Sequence, residues 1–289
     1  MKETRALVTS CNKLFASGAE ALLRSAARFH PDIQRYCYVP QKELEELRCR
    51  LGPLTRVEAC PEVIQGIPKE NMANVGRLFV TVPDVDVAAY IDADALICAP
   101  CERLWEVAPG RVNAVADSAN CVANNLSDAN REYFVEKYPH VALHKGVNAG
   151  IFALRKKDWP DLAVSFEKMM VEGGYRYDTV LDQPILNVLF SGRVNLLPFE
   201  YNAHGLWDNT LPNTVKIIHY TGRCKPWMAG FPRHEPSYWY WLKYGRLDAG
   251  IGHLACVRLW VMANWPRRQA SRWLRRRKKP SPLICTDSH

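Results

Sequence analysis

The stretch Val87-Ala88-Ala89-Tyr90-Ile91-Asp92-Ala93-Asp94 decides how the rest of the chain is read. Val87–Ile91 is a strongly apolar run of strand length. It ends in two carboxylates spaced i, i+2, which an extended chain places on the same side. Two such carboxylates can meet one hard divalent cation. Oxygen ligands favour Mg²⁺ or Mn²⁺, ions that often hold phosphates at the same time. Taken alone, the pair also reads as two solvated acids at a strand end.

Working outward, the preceding chain alternates strand-like and helix-like segments. Strands are expected at Arg5–Ser10, Gln34–Val39 and 56–60. Helices are expected at 17–29, with Ser17 as N-cap, at 41–51, ended by Gly52-Pro53, and at 71–82, stopped at Pro83. This βαβα rhythm predicts an α/β fold with a mainly parallel sheet, whose ligands bind beyond the carboxyl ends of the strands. The later chain is less regular. Strands are expected at 113–116, 149–154 and 215–219, and helices at 161–171 and 179–190. Beyond Pro226 the aromatics Trp227, Tyr238, Trp239, Tyr240, Trp241 and Tyr244 suit a packed cap better than a linker.

Composition excludes several classes. The chain has 289 residues, 48% hydrophobic and 24% charged, as in an ordinary globular protein, so wholesale disorder is excluded. It lacks an apolar run long enough for a transmembrane helix, and its start lacks the apolar core of a signal peptide. The ten cysteines are scattered, as expected of reduced thiols. Cys98-Ala99-Pro100-Cys101 has no second CxxC to complete a zinc site, and reads as two buried thiols near a strand end. The net charge of +8 comes from residues 251–289, which hold nine Lys or Arg against Asp287. The first 250 residues therefore sum to zero, and the main body is not a nucleic-acid binder. Two parts are expected: a domain at 1–250 and a basic, aromatic-rich helical tail at 251–289. In the tail Trp260, Trp265 and Trp273 mix with clustered arginines, a composition that lies well on an anionic membrane surface. Pro266 divides it into two short segments.

Three further motifs carry chemistry. In residues 217–227, His219 sits at a strand end and can offer an imidazole to the cation, which tilts the choice from Mg²⁺ towards Mn²⁺. Gly222 permits close backbone approach to a phosphate, and Lys225 supplies a point charge for a diphosphate. A core histidine, a glycine turn and a surface lysine are the alternative. In residues 146–152, Asn148 has an amide able to grip sugar hydroxyls. In residues 181–187, Asp182 and Gln183 start an apolar helix, where N-capping alone would explain Asp182.

The order of these motifs is more specific than any one of them. Asp92-Ala93-Asp94, VNAGIF at 147–152, DQPILN at 182–187, YNAH at 201–204 and HYTGRCKPW at 219–227 together resemble glycosyltransferase family 8. That is the family of glycogenin and of bacterial lipopolysaccharide galactosyl- and glucosyltransferases. The stretch at 8–26 also looks like the family's first strand and helix, and the resemblance spans about residues 4–230. It implies a GT-A fold, a Rossmann-like mainly parallel sheet with flanking helices. It also implies a divalent metal, a UDP-sugar donor and retention of anomeric configuration. By resemblance, Asp92, Asp94 and His219 hold the metal, and Gly222 and Lys225 contact the diphosphate. Asn12 and Phe15 lie at the positions of an amide and a base-stacking aromatic. Arg77 reaches towards the donor, and Asp117, Asn148, Asp182 and Gln183 surround the transferred sugar. Asn202 matches an asparagine in the loop before the last core strand. Two departures stand out: Lys13 replaces the usual acid, and Phe15 lacks the usual tyrosine hydroxyl.

These implications converge on a retaining hexosyltransferase that moves glucose or galactose from UDP-glucose or UDP-galactose to a glycan or glycolipid acceptor, such as a lipopolysaccharide core. Its place would be the cytoplasmic, inner face of a membrane. A transferase with a protein acceptor, a silent nucleotide-sugar-binding protein and a membrane-tethered nucleotidyltransferase are the competing readings.

Overall fold

The computed structural model describes residues 3–61, 64–177, 181–204, 214–222, 224–229, 231 and 236–245. The basic tail, Arg223 and the first residues of the helix expected at 179–190 lie outside the described residues. The strands are β1 (Arg5–Ser10), β2 (Gln34–Val39), β3 (Arg56–Ala59), β4 (Val87–Ile91), β5 (Ala95–Ile97), β6 (Val112–Ala116), β7 (Val147–Arg155), β8 (Val194–Leu196), β9 (Ala203–His204) and β10 (Ile217–His219). The α-helices are α1 (Ala16–Phe29), α2 (Leu44–Leu51), α3 (Asp128–Lys137), α4 (Pro139–Ala142), α5 (Leu162–Gly173), α6 (Asp182–Phe190) and α7 (Pro236–Tyr240).

Seven strands form one sheet in the order β3-β2-β1-β4-β7-β6-β8. Every neighbouring pair is parallel except the two that involve β7, which runs against both β4 and β6. The mainly parallel α/β expectation therefore holds, with one reversed strand in the middle. All five residues of β4 are buried, because both faces of the sheet are covered. Ala88 and Tyr90 face a core with Phe79, Phe152, Phe166 and Phe190. Val87, Ala89 and Ile91 face the other core, with Leu22, Leu23, Leu47 and Trp105.

A second, small sheet positions the site. Its order is β5-β10-β9. β5 begins directly after Asp94, and β10 pairs with it antiparallel so that His219 lies opposite Ala95. This register carries the histidine to the acidic pair across a long sequence separation. The aromatic cap forms as expected: Trp241, Leu242 and Tyr238 pack on Ala21, Leu96 and Ile218.

Several local expectations need correction. Ser17 does not cap α1. Asn12 organises that turn instead, with Oδ1 accepting from the N–H groups of Leu14 (3.0 Å) and Phe15 (3.3 Å). Ser17 lies inside the helix, where its Oγ accepts from Arg50. The helix expected at 71–82 is a 3₁₀ segment, Lys69–Thr81, broken at Val75 (φ −103°, ψ 16°). Asn71, Asn74, Val75 and Gly76 are poor α-helix formers, which accounts for the tighter, interrupted winding. Residues 41–51 begin as a 3₁₀ turn before α2. Asp182 is the first residue of α6, not its cap. By contrast Asp161 does cap α5, accepting from the N–H groups of Ala163 (2.9 Å) and Val164 (3.3 Å). Cys98 and Cys101 are buried free thiols, as expected. Among the described residues no helix is long and apolar enough to cross a membrane.

Candidate active site

Beyond the carboxyl ends of β1 and β4 lies a cavity of about 330 Å³, lined by Ser10, Asn12, Phe15, Arg77, Tyr90 and Asp94 among others. This is where an open α/β sheet places its ligands. At its rim Asp92, Asp94 and His219 each turn one potential ligand atom inward, all within 4.8 Å of one another. His219 Nε2 lies 3.4 Å from Asp92 Oδ2 and 3.1 Å from Asp94 Oδ1. Burial opposes a charge on His219, but the two carboxylates outweigh it and raise the imidazole to about 9. His219, Asp92 and Asp94 are the residues that would hold a cation here.

The donor set fits a divalent cation. It offers two hard carboxylates and one imidazole, the chemistry expected for Mn²⁺ or Mg²⁺. Gly150 on β7 supports the fit. A side chain there would collide with His219 Cε1 and come within 2.5 Å of Asp92 Oδ2. The space between the two ligands exists because that residue is glycine.

Counter-charges surround the triad. Arg77 Nη2 is 3.4 Å from both oxygens of Asp92. Its Nε is 2.9 Å from Asp182 Oδ2. That approach is off the angle of a hydrogen bond, so both atoms stay buried without a hydrogen-bond partner. Burial pulls against the charge on Arg77, but Asp182 and Asp92 hold the guanidinium firmly protonated. Burial pushes the Asp182 carboxyl up, and Arg77 offsets this only in part. Lys225 is buried and drawn inward, bonded to Asp94 Oδ2 and to the carbonyl of Tyr220.

A second group of expected residues meets on the far side of His219. Asp117 accepts from Gln183 Nε2 (3.0 Å), Asn125 Nδ2 (2.8 Å) and Asn148 Nδ2 (3.5 Å). Asn202 bonds both Asn148 and His219 and is fully buried. Asn12 and Phe15 line the cavity itself. Phe15 meets the Trp227 ring edge-on at 5.8 Å. Gly222 lies in the turn after β10, partly exposed. Lys13 points away from the cavity to Glu46, and its N–H bonds Glu43. An acid at position 13 would face those two glutamates and be repelled, which accounts for the departure at this position.

Sequence reasoning missed Gly150, Asn125, Tyr90 and Asn187. Gly150 lies within the VNAGIF motif, but its need appears only when β10 is in place. Asn187 carried a local signal, its i+4 spacing from Gln183 on α6. Its amide accepts from the N–H of Val147 (2.7 Å) and donates to the carbonyls of Val147 (3.0 Å) and Gln183 (2.9 Å), strapping α6 to β7.

The sequence profile of glycosyl transferase family 8 matches residues 72–230, which contain the acidic pair, the histidine and the lysine. The chain belongs to glycosyl transferase family 8. Lipopolysaccharide 1,2-glucosyltransferase of Escherichia coli (strain K12) is 29% identical over 159 residues, 50% of this chain and 44% of that protein. The chain spans about half the length of the curated relatives it matches. Among solved structures, galactosyltransferase LgtC in complex with donor and acceptor sugar analogs superposes with a TM-score of 0.55. It is 19% identical, and the match covers 78% of this chain and 90% of that one. The glycosyltransferase GlyE of Streptococcus pneumoniae TIGR4 gives 0.58 at 17% identity, over 91% of this chain and 64% of that one. At these identities the likeness is one of fold, and the fold is GT-A. Family 8 is a family of glycosyl transferases. Such enzymes generally use a divalent metal and a nucleotide-sugar, and this chain carries a candidate Asp-Asp-His site for the metal.

Proposed function

We propose that this family 8 protein is a retaining, metal-dependent hexosyltransferase that moves glucose or galactose from a UDP-sugar to a glycan or glycolipid acceptor. The observation that carries the reading is the convergence of Asp92, Asp94 and His219 from two sheets at the rim of the Asn12–Phe15 cavity. Two similar proteins support a hexose: one is named lipopolysaccharide 1,2-glucosyltransferase, the other galactosyltransferase LgtC.

A cation held by Asp92, Asp94 and His219, most simply Mn²⁺, would neutralise the charge that builds on the departing diphosphate. Lys225 and Arg77 add fixed positive charge at the same edge. Phe15 offers a ring face to the base, and Asn12 keeps its amide nitrogen for it. Gly222 leaves room for backbone approach to the diphosphate. Asp117, Asn148, Asp182 and Gln183 grip the sugar.

The reaction transfers a glycosyl group: the bond from the anomeric carbon to the phosphate oxygen breaks, and a bond to the acceptor oxygen forms. A carboxylate nucleophile is the usual route to retention. Here Gln183 is a neutral amide whose oxygen accepts from the N–H of Ala149 (3.0 Å) and whose nitrogen donates to Asp117. Asp182 is 2% exposed and lies against Arg77. Neither is free to attack. The acceptor hydroxyl therefore adds on the face the diphosphate leaves, and its proton passes to the departing phosphate oxygen. A sugar adduct trapped on Asp182 would contradict this route.

Residues 1–250 form the transferase part and 251–289 dock on an anionic membrane, which places the enzyme on the inner face beside a glycolipid acceptor. Vesicle binding lost on removal of 251–289 is the expected result for that arm. The test of the activity is UDP release from a panel of UDP-sugars with Mn²⁺, with and without EDTA. Release from one hexose donor, abolished by EDTA and by Asp94→Ala, is expected. Intact mass after donor addition separates a glycan acceptor from self-modification of the protein.

A further inference from the structure

Behind His219 runs a chain of side-chain amides whose direction is set by β7. The β6–β7 pairing slips: Ala114 faces Phe152, whereas the next residue, Val115, faces Asn148. The bulge releases backbone between those positions from the ladder. The freed N–H of Ala149 donates to Gln183 Oε1 (3.0 Å), and that of Gly150 donates to Asn148 Oδ1 (3.1 Å). A backbone N–H can only donate, so each bond decides which end of the amide is oxygen.

The rest of the chain follows from that polarity. Asn148 Oδ1 also accepts from Asn202 Nδ2 at 2.9 Å. Asn202 is left with its carbonyl oxygen towards His219 Nδ1, 3.1 Å away. A carbonyl oxygen only accepts, so Nδ1 carries the hydrogen, and Nε2 is the nitrogen that faces Asp92 and Asp94. Asn202 is 0% exposed, so it acts on the site through its neighbours rather than by touching a ligand.

We propose that Asn202 is a positioning residue, oriented through Asn148 by the β7 bulge, which presents His219 Nε2 to the cation. This inference rests on the reading of Asp92, Asp94 and His219 as a cation site. Hydrogen-bond partners behind a metal-bound histidine fix its ring and tautomer, and their loss typically costs about 10- to 100-fold in metal affinity. Asn202→Leu removes the acceptor while filling nearly the same volume.

The test is Mn²⁺ affinity by electron paramagnetic resonance titration, with Mn²⁺ alone, for four proteins: wild type, Asn202→Leu, His219→Ala and the double variant. A loss of about 10- to 100-fold is expected for Asn202→Leu, and no further loss when it is added to His219→Ala. A general structural role would weaken binding in both backgrounds and overturns the proposal, as does unchanged affinity in the single variant. Wild-type protein that takes up no Mn²⁺ overturns the cation reading itself, a result distinct from wild-type binding with an unaffected variant. A second readout needs no variant: ¹⁵N correlations of His219 with Mg²⁺ added. Hydrogen on Nδ1 is expected, and an Nδ1 that carries no hydrogen overturns the proposal.

Discussion

Gly150 and His219 meet edge to edge across the site: a Cβ on Gly150 would collide with the His219 ring carbon that lies between its two nitrogens. The same Cβ would press on Asp92 Oδ2 at 2.5 Å and on Asn148 Oδ1 at 3.0 Å. β7 therefore approaches the candidate cation site with bare backbone, and the three ligands can converge only because it does. Gly150→Ala is expected to keep the fold, since Ala is compatible with a strand. Displacing His219 and Asp92 by about an ångström should cost on the order of 100-fold in kcat/KM. Far-UV circular dichroism beside donor-hydrolysis rates checks both halves of that expectation.

Arg77 is the shared counter-charge of Asp92 and Asp182. Arg77→Ala strands two carboxylates in a buried setting and should destabilise the protein by about 3–5 kcal/mol in urea unfolding. Arg77→Lys keeps the charge but not the planar fork that reaches both acids. It should lose less stability than Arg77→Ala and still lose most of the transfer activity. Equal stability of Arg77→Ala and wild type would contradict the pairing.

His30 is buried, is not among the residues that line the cavity, and reports on the core. It is buried against Trp105, and its Nε2 accepts from the N–H of Cys101 at 3.1 Å. Burial lowers its pKa below the usual histidine value. Glu102, 4.0 Å away and exposed, raises it in part, and Arg5 lowers it further. A depressed histidine is held neutral in the folded state. Its contribution is complete above the unfolded value of about 6.5 and is lost as pH falls below it towards the folded value. The urea midpoint of the wild type should therefore drop between pH 7 and pH 5 by more than that of His30→Gln, which retains an acceptor without the titration.

Much of this architecture was legible because its causes are local. The apolar run 87–91 and the acids after it need no partner to be recognised, and β1, β2 and β4 fall at their expected bounds. Asp161, expected as the first residue of its helix, is its cap instead. Ser17 has the right residue type for a cap but loses to Asn12, whose turn forms a few residues earlier. The strands β5, β8 and β9 were not foreseen, for two or three residues carry no periodic signal. Within the site, residue types were legible and their partners were not. The bond from Asn202 to His219 depends on the register of β10 with β5, and the bond from Asn148 to Gly150 depends on a bulge. Lys225 read as a surface cation or a phosphate contact, yet it lies buried on Asp94.

The most direct measurement is UDP binding by calorimetry with Mn²⁺, with EDTA, and with Mn²⁺ and Asp94→Ala. If Asp92, Asp94 and His219 hold a cation against a nucleoside diphosphate in the Asn12–Phe15 cavity, UDP binds the wild type in Mn²⁺. Affinity should then fall at least about tenfold, or about 1.4 kcal/mol, both on chelation and in the variant. UDP binding of equal strength in all three conditions would contradict the account.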